Sequence, residues 1–505
     1  MHRFAFYILL FLANTTQPTL KAQISPKEGR ELHYRLIGFS FPLEKGVANY
    51  KIEIAVGNYY SQDSFNKNII KTTNCKKNKV IIEVPSFATH YTWRTVYTNS
   101  DNNLIKTGFH HFSTFTIADT NKIRLRITKS AEKYKDAYVF SDAAKAMFNM
   151  AGQPVWYLPE LYSNYNDPVR DLKLSCKATI TFLLGNAAYE INYDGDILWT
   201  GPKGHKQCKD TIEGYHHELT RLNNGHYMVL DQGPFAVNNL IVLSPNLKIR
   251  SEDSAKAMGV LGAKSLNLKP DFSIIEEYDE KGNVVWSWKS SDHISENDLT
   301  NISLLGPGMG PHENAFYFDE RKHNIYLSCK NIDRILKISY PKGNIVRDYG
   351  RINLSEKTRG SHLFCGQHSC KLSKEGFLYL YDNGCDRTGL PKILEMKEPV
   401  SDKDTLKTIW EFPCPVELPK DILKTPVVIS GGNVIEMPDN SLFVSTDREF
   451  GTIFIVSMNK NILWGSVIEK WHSIGNNWLP LPQYRASIIP DSQKLEELIW
   501  HISLK

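Results

Sequence analysis

From about residue 119 onward one pattern recurs: an apolar strand, a polar turn carrying Gly or Asn, and a second strand ending in an aromatic residue. It appears at Ala151–Trp156, Tyr189–Trp199, Ile274–Trp286, Ile335–Tyr349, Ile393–Trp410 and Ile453–Trp464. Between these hairpins lie further strand pairs, His217–Leu230, His312–Leu327, His368–Leu380 and Asn433–Val444, the first turning at Asn223-Asn224-Gly225. Repetition at such a period marks units that cannot stand alone. A four-stranded unit leaves both faces wet unless neighbours stack on it, and stacking around an axis hides faces and edges together. The spacing therefore predicts an all-β chain whose residues 119–505 form a six-bladed β-propeller. Residues 234–271 read as an insertion in one blade, and Tyr484–Ile488 as a strand closing the first.

Residues 23–118 differ. Alternation at Tyr50–Ala55 and Val80–Val84, then Tyr91–Arg94 and Phe112–Phe115, has the period of two of half-buried strands. This predicts a small immunoglobulin/fibronectin III-like β-sandwich with Trp93 in its core. Residues 1–22 read as a signal peptide: Arg3, an apolar run from Phe4 to Ala13, and a cleavage signal at Leu20-Lys21-Ala22. The expected location is periplasmic or secreted, with no membrane span. Removing residues 1–22 deletes Arg3 and Lys21 and no acid, so the net charge falls from +5 to +3. So weak a charge argues against a nucleic-acid partner. The eight cysteines predict disulfides in an exported chain. Cys365 and Cys370 bracket His368, as a local disulfide or as halves of two unrelated bridges. A zinc site is the competing reading of Cys365 and His368, but no second Cys/His pair of matching spacing follows, so no metal is expected.

Three of the inner strand pairs begin with histidine: His217-Glu218-Leu219, His312-Glu313-Asn314 and His368-Ser369-Cys370. They lie 95 and 56 residues apart. A lone strand histidine is usually a structural residue. Three at one phase of a repeat are expected to converge where innermost strands line a propeller axis.

The strings GYHHELTRLNNGHYMVLD, GPHENAFYFDERKHNIYLSCKNIDRILKI and FCGQHSCKLSKEGFLYLYDNGCDR resemble the arylsulfotransferase family. The resemblance implies PAPS-independent transfer of a sulfuryl group from a phenolic sulfate donor to a phenol acceptor through a sulfated histidine, without a cofactor. It implies His368 as nucleophile, with His217 (or the adjacent His216), His312 and Lys330 around the sulfuryl oxygens and Asn314 nearby. Lys330 stands where the family has arginine, which keeps the charge but loses the bidentate fork. Arg387 is a candidate anion-holding residue, with a surface role as its alternative. One histidine must also serve as acid and base, and His312 is the first choice. Related enzymes include dimers, so the resemblance admits a homodimer. Two rival readings remain at this level, a non-catalytic ligand-binding propeller and a quinone-dependent dehydrogenase-like propeller.

Overall fold

The computed structural model describes residues 24–116, 122–160, 167–202, 206–208, 211–232, 235–236, 241–244, 247–249, 272–295, 299, 310–350, 363–384, 390–401, 404–415, 431–446, 451–473 and 475–501. Arg387, residues 1–22 and most of 234–271 lie outside this set. The chain divides into two compact units, one comprising residues up to Leu32 and Leu36–Thr114, the other His33–Arg35 and Phe115–Lys505.

In the first unit, strands run in the order Arg30–Leu32, His110–Thr114, His90–Thr98, Tyr50–Val56, Ile69–Cys75, with Leu104–Lys106 also on His90–Thr98. A second sheet pairs Leu36–Ser40 with Lys79–Glu83. Phe39 of this sheet meets Trp93 of the other edge-on, ring centroids 5.0 Å apart, and both are fully buried. The alternating apolar residues thus face each other between the sheets.

In the second unit, besides a three-stranded sheet of Lys206–Cys208, Thr211–Glu213 and Phe235–Ala236 and the pair Ile241–Ser244 with Leu247–Ile249, the described residues form five antiparallel sheets of four strands and one of six. The second is Val169–Leu174, Ile180–Leu184, Ala187–Ile191, Ile197–Thr200. The third is Tyr215–Arg221, Tyr227–Asp231, Ile274–Tyr278, Val284–Lys289, and the fourth Glu313–Asp319, Asn324–Cys329, Arg334–Ser339, Ile345–Gly350. The fifth is His368–Leu372, Leu378–Asp382, Lys392–Lys397, Lys407–Pro413. The sixth, Asn433–Glu436, Leu442–Ser445, Thr452–Val456, Ile462–His472, is extended by Asn477–Pro480 and by Ile123–Lys129. The first sheet joins two ends of the unit: Tyr138–Ser141, Ala146–Asn149 and Pro154–Tyr157 are completed by Ala486–Ile489, which pairs with Tyr138–Ser141. The tail supplies the closing strand that its sequence predicted. This is a β-propeller arrangement.

The expected hairpins fall where the turn residues put them. Gly225, between Tyr215–Arg221 and Tyr227–Asp231, has φ +95°, a conformation costly to side chains with a Cβ. Successive sheets share apolar cores. Met228, Leu230 and Ile275 of the third pack with Phe316, Leu327 and Leu336 of the fourth. Tyr326 and Ile335 of the fourth pack with Leu378, Leu380 and Leu394 of the fifth. Each such side chain stabilises the stack by roughly 1.5–3 kcal/mol, so the sheets hold one another in register. The leading strands of the second to sixth sheets lie side by side in chain order, with Ala486–Ile489 against the leading strand of the second. No helix among the described residues is long and apolar enough to cross a membrane.

Candidate active site

The leading strands share an irregularity. Asp171, His217, His312 and Ser369 all adopt left-handed backbone, with φ between +53° and +64°. The pairing register shifts beside each of them. Such bulges re-aim side chains at sheet rims and are uncommon in residues with a Cβ. They also correct the expected phase of the histidines. His217 and His312 occupy equivalent left-handed positions, whereas in the fifth sheet that position belongs to Ser369. His368 stands one residue earlier, where the third sheet has His216. A bulge offset of one residue moves a side chain to the other face of a strand, so sequence spacing alone misplaces it.

The histidines nevertheless converge. The rings of His217 and His312 are 5.1 Å apart, centroid to centroid. His217 lies 5.7 Å and His368 6.1 Å from the ring of Tyr484, which therefore stands between them. His216 and His217 bring their Nδ1 atoms to 2.6 Å, so one proton is shared between two rings. The far side of His216 fixes which. Ser273 Oγ donates to Glu313 Oε2 (3.0 Å), and His216 Nε2 lies 3.2 Å from the same hydroxyl. With the Ser273 proton committed to Glu313, His216 Nε2–H donates to Ser273 and His216 Nδ1 accepts from His217 Nδ1–H. His217 Nε2 is left with a lone pair on the side of the ring away from His216.

His368 is fully buried. Its Nδ1 lies 3.0 Å from the amide nitrogen of Asn383 and 3.4 Å from the carbonyl oxygen of Gly366, to which Asn383 itself donates at 2.6 Å. Its Nε2 has no hydrogen-bond partner. Burial first, then the positive charges of Lys330 and Arg485 and the neighbouring His312, hold its pKa well below the usual histidine value. Burial likewise lowers His217, helped by His216, His312 and Arg170. Both rings are neutral at pH 7. Gln367 anchors this strand to the fourth sheet, donating to the carbonyls of Arg334 (2.9 Å) and Cys329 (3.2 Å). Asn314 donates to the carbonyl of Gln367 at 2.8 Å. Lys330 opens a short turn after strand Asn324–Cys329, and its N–H donates to the carbonyl of His312 at 3.0 Å.

Residues 263–403, which hold His312, Lys330 and His368, match the family model described as Arylsulfotransferase (ASST). Over this stretch the chain is similar to the arylsulfotransferase family. Two curated relatives match another way. Echinoderm microtubule-associated protein-like 4 of Xenopus laevis is 24% identical over 223 residues, covering 38% of this chain and 24% of that protein. Its Xenopus tropicalis counterpart is 24% identical over 217 residues, covering 37% and 23%. The chain spans about a quarter of the length of these relatives. Among solved structures, a putative 6-phosphogluconolactonase from Bacteroides fragilis is 13% identical, with 88% of this chain and 99% of that chain covered and a TM-score of 0.28. A luciferin-regenerating enzyme is 9% identical, with 72% and 99% covered and a TM-score of 0.34. Likenesses at this level assign no activity.

Around these histidines the structure adds residues that sequence reading left out. Arg485, 4% exposed, reaches three leading strands: Glu218 Oε2 at 2.6 Å, Asp171 Oδ1 at 3.3 Å, and the carbonyls of His217 (3.3 Å) and Asn314 (2.8 Å). Lys173 bridges the same two acids at 2.7 and 2.9 Å. Burial opposes ionisation of Glu218, but Lys173 and Arg485 outweigh it and draw its carboxyl down to about 2. Tyr484 has a buried hydroxyl with no partner, and burial pushes its pKa up to about 12. Its ring lies under the guanidinium groups of Arg485 and Arg170, 5.1 and 6.0 Å from the centroid. The available signal for these residues was an arginine and a tyrosine in a tail strand expected to close the ring. Cys370 is a free buried thiol, so the expected local bridge between Cys365 and Cys370 does not form. Among the described residues no group of three or more His, Cys, Asp or Glu side chains is arranged to hold a metal.

Proposed function

We propose that the chain is an exported aryl-sulfate sulfotransferase whose propeller has six blades, with a fibronectin III-like sandwich before it. In this reading it moves a sulfuryl group from a phenolic sulfate ester to a phenol, without PAPS and through a sulfated His368. The observation that carries it is the unpartnered Nε2 of a neutral, buried His368 set among imidazoles and fixed positive charge.

Attack by Nε2 requires the ring proton on Nδ1, and therefore an Asn383 amide turned to present its unpartnered oxygen, in place of the nitrogen 3.0 Å away, beside the Gly366 carbonyl. The Nε2 lone pair forms the N–S bond as the S–O(aryl) bond breaks, and the aryloxide leaves with that electron pair. A neutral imidazole is a competent nucleophile near pH 7. Charge spread over the sulfuryl oxygens needs positive groups already in place, as in phosphoryl transfer. Lys330 and Arg170 supply such charge, and His312 a ring N–H. In the second half, the acceptor phenol gives up its proton, its oxygen takes the sulfur, and the N–S electrons return to Nε2.

The hydrogen-bond order favours His217 rather than His312 as the group that takes the acceptor's proton. A lone pair at His217 Nε2 is what the His216–Ser273–Glu313 chain leaves free. In the first half-reaction this neutral ring has no proton to give, so the departing aryloxide takes its proton from solvent, and the proton that His217 takes from the acceptor in the second half returns to solvent. His312 then serves as a donor to the sulfuryl oxygens.

The test is a two-substrate assay with 4-nitrophenyl sulfate and a phenol. Parallel double-reciprocal lines, and a His368 peptide found sulfated by mass spectrometry when acceptor is withheld, support the reading. Normal turnover by His368→Ala removes the nucleophile from it.

A further inference from the structure

Two residues after the left-handed position, the leading strands of the second and fifth sheets carry Lys173 and Lys371. Both line a cavity of about 200 Å³ with Arg485, Asp171, Asn433 and Ser487. None of the four site histidines lines it.

The charges of this cavity do not balance. Lys173 and Arg485 are committed to Asp171 and Glu218, two cations against two carboxylates. Asp142, also in the wall, accepts from the backbone N–H groups of Asp171 (2.9 Å) and Leu172 (3.0 Å). Its carboxyl, raised by burial to about 7, carries only part of its charge at neutral pH. Asn433 is occupied by the backbone of Ala486, and Ser487 Oγ by the carbonyl of Leu172. The Lys371 ammonium alone among these makes no hydrogen bond or ion pair with any described residue. Burial weakens its hold on its proton, and the acids that oppose this, Glu218 and Asp171, are already paired with Lys173 and Arg485.

We propose that this cavity is a second anion site, in which Lys371, with Lys173 and the edge of Arg485, holds a small oxyanion of the sulfate type. Its size admits a tetrahedral oxyanion with some water, and the two flanking aspartates disfavour a larger polyanion. The site is independent of the sulfuryl-transfer reading, since none of the histidines lines its cavity.

The test is calorimetric titration of the full chain with sodium sulfate, then sodium phosphate, at constant ionic strength against chloride. Saturable binding is expected, weakened about tenfold or more in Lys371→Gln. It is expected to survive in Lys371→Arg and in Lys330→Gln. The arginine variant restores the charge and so separates lost binding from lost folding. Three outcomes overturn the site: no saturable binding, equal affinity in Lys371→Gln, or loss confined to Lys330→Gln. The last would place the anion among the histidines and leave the proposed catalysis standing. Conversely, an inactive wild type that still binds sulfate through Lys371 would sink the catalysis and keep this site.

Discussion

Two polar layers lie next to each other in the core of the second unit, and they are built on opposite terms. In the ionic layer, Asp171, Lys173, Glu218 and Arg485 pair with one another through four ion pairs of 2.6 to 3.3 Å, with Arg485 Nε alone left over. In the histidine layer, His368 Nε2, Asn383 Oδ1, Gln367 Oε1, Asn314 Oδ1 and the Tyr484 hydroxyl are buried without partners. Native proteins leave few such atoms, and each costs about 1–3 kcal/mol. Five such atoms, one of them on His368 itself, are poor structure and good preorganisation. The paired layer fixes where the leading strands lie. The unpaired layer holds groups ready for a ligand that supplies what they lack.

The largest expected effects separate these roles. His368→Ala should lower aryl-sulfate turnover by at least about a thousandfold, the range seen when a covalent nucleophile is removed. Its melting temperature should hardly change, because the ring makes little of its bonding capacity. Arg485→Met should do the reverse in kind. It leaves Glu218 and Asp171 in the interior with Lys173 as their one remaining ion-pair partner among the described residues, and should destabilise folding by about 3–5 kcal/mol in denaturant titration. If Arg485→Met is as stable as the parent, the paired layer is not what holds the strands.

The third prediction concerns charge passing between layers. His368 is held neutral by burial, Lys330, Arg485 and His312. A depressed folded pKa means that the unfolded chain binds more protons below about pH 6.5. The stabilising contribution of His368 and His217 is therefore full above that pH and is lost as pH falls towards their folded values. The acid limb of kcat/KM should lie well below pH 6.5 for the same reason. Lys330→Gln removes one of the depressing charges, so the limb should move upward, while Lys330→Arg should leave it in place. An unchanged limb in Lys330→Gln would show that burial alone sets this ring.

Sequence made the strands legible because alternation and turn residues are local. Gly225 and the aromatic ends of Tyr189–Trp199 and Ile453–Trp464 mark their hairpins without tertiary information. Even the closing strand near Ala486 followed from counting repeats. The phase of the histidines did not follow. A left-handed residue at Asp171, His217, His312 or Ser369 has no composition signal, since none is glycine. Nor could spacing reveal that Arg485 joins strands from three sheets, or that Tyr484 lies between His217 and His368. Those facts depend on ring closure, which brings together residues more than a hundred positions apart. Cys370 misled for a related reason: closeness in sequence to Cys365 says nothing about which way two strand side chains point.

The smallest expected effect is also the sharpest on the unpaired layer. Tyr484 keeps a neutral hydroxyl at any physiological pH and gives it no partner. Tyr484→Phe deletes only that oxygen and retains the ring between His217 and His368. Where no partner is left behind, loss of a buried hydroxyl is close to neutral or mildly stabilising. Equilibrium unfolding should therefore shift by less than about 0.5 kcal/mol. Turnover should fall severalfold, mainly in kcat, if the hydroxyl donates to charge that develops only as the S–O bond breaks. A fall in stability above about 1 kcal/mol would mean that the oxygen is bonded in the resting protein, and the contrast between the two layers would lose one of its members.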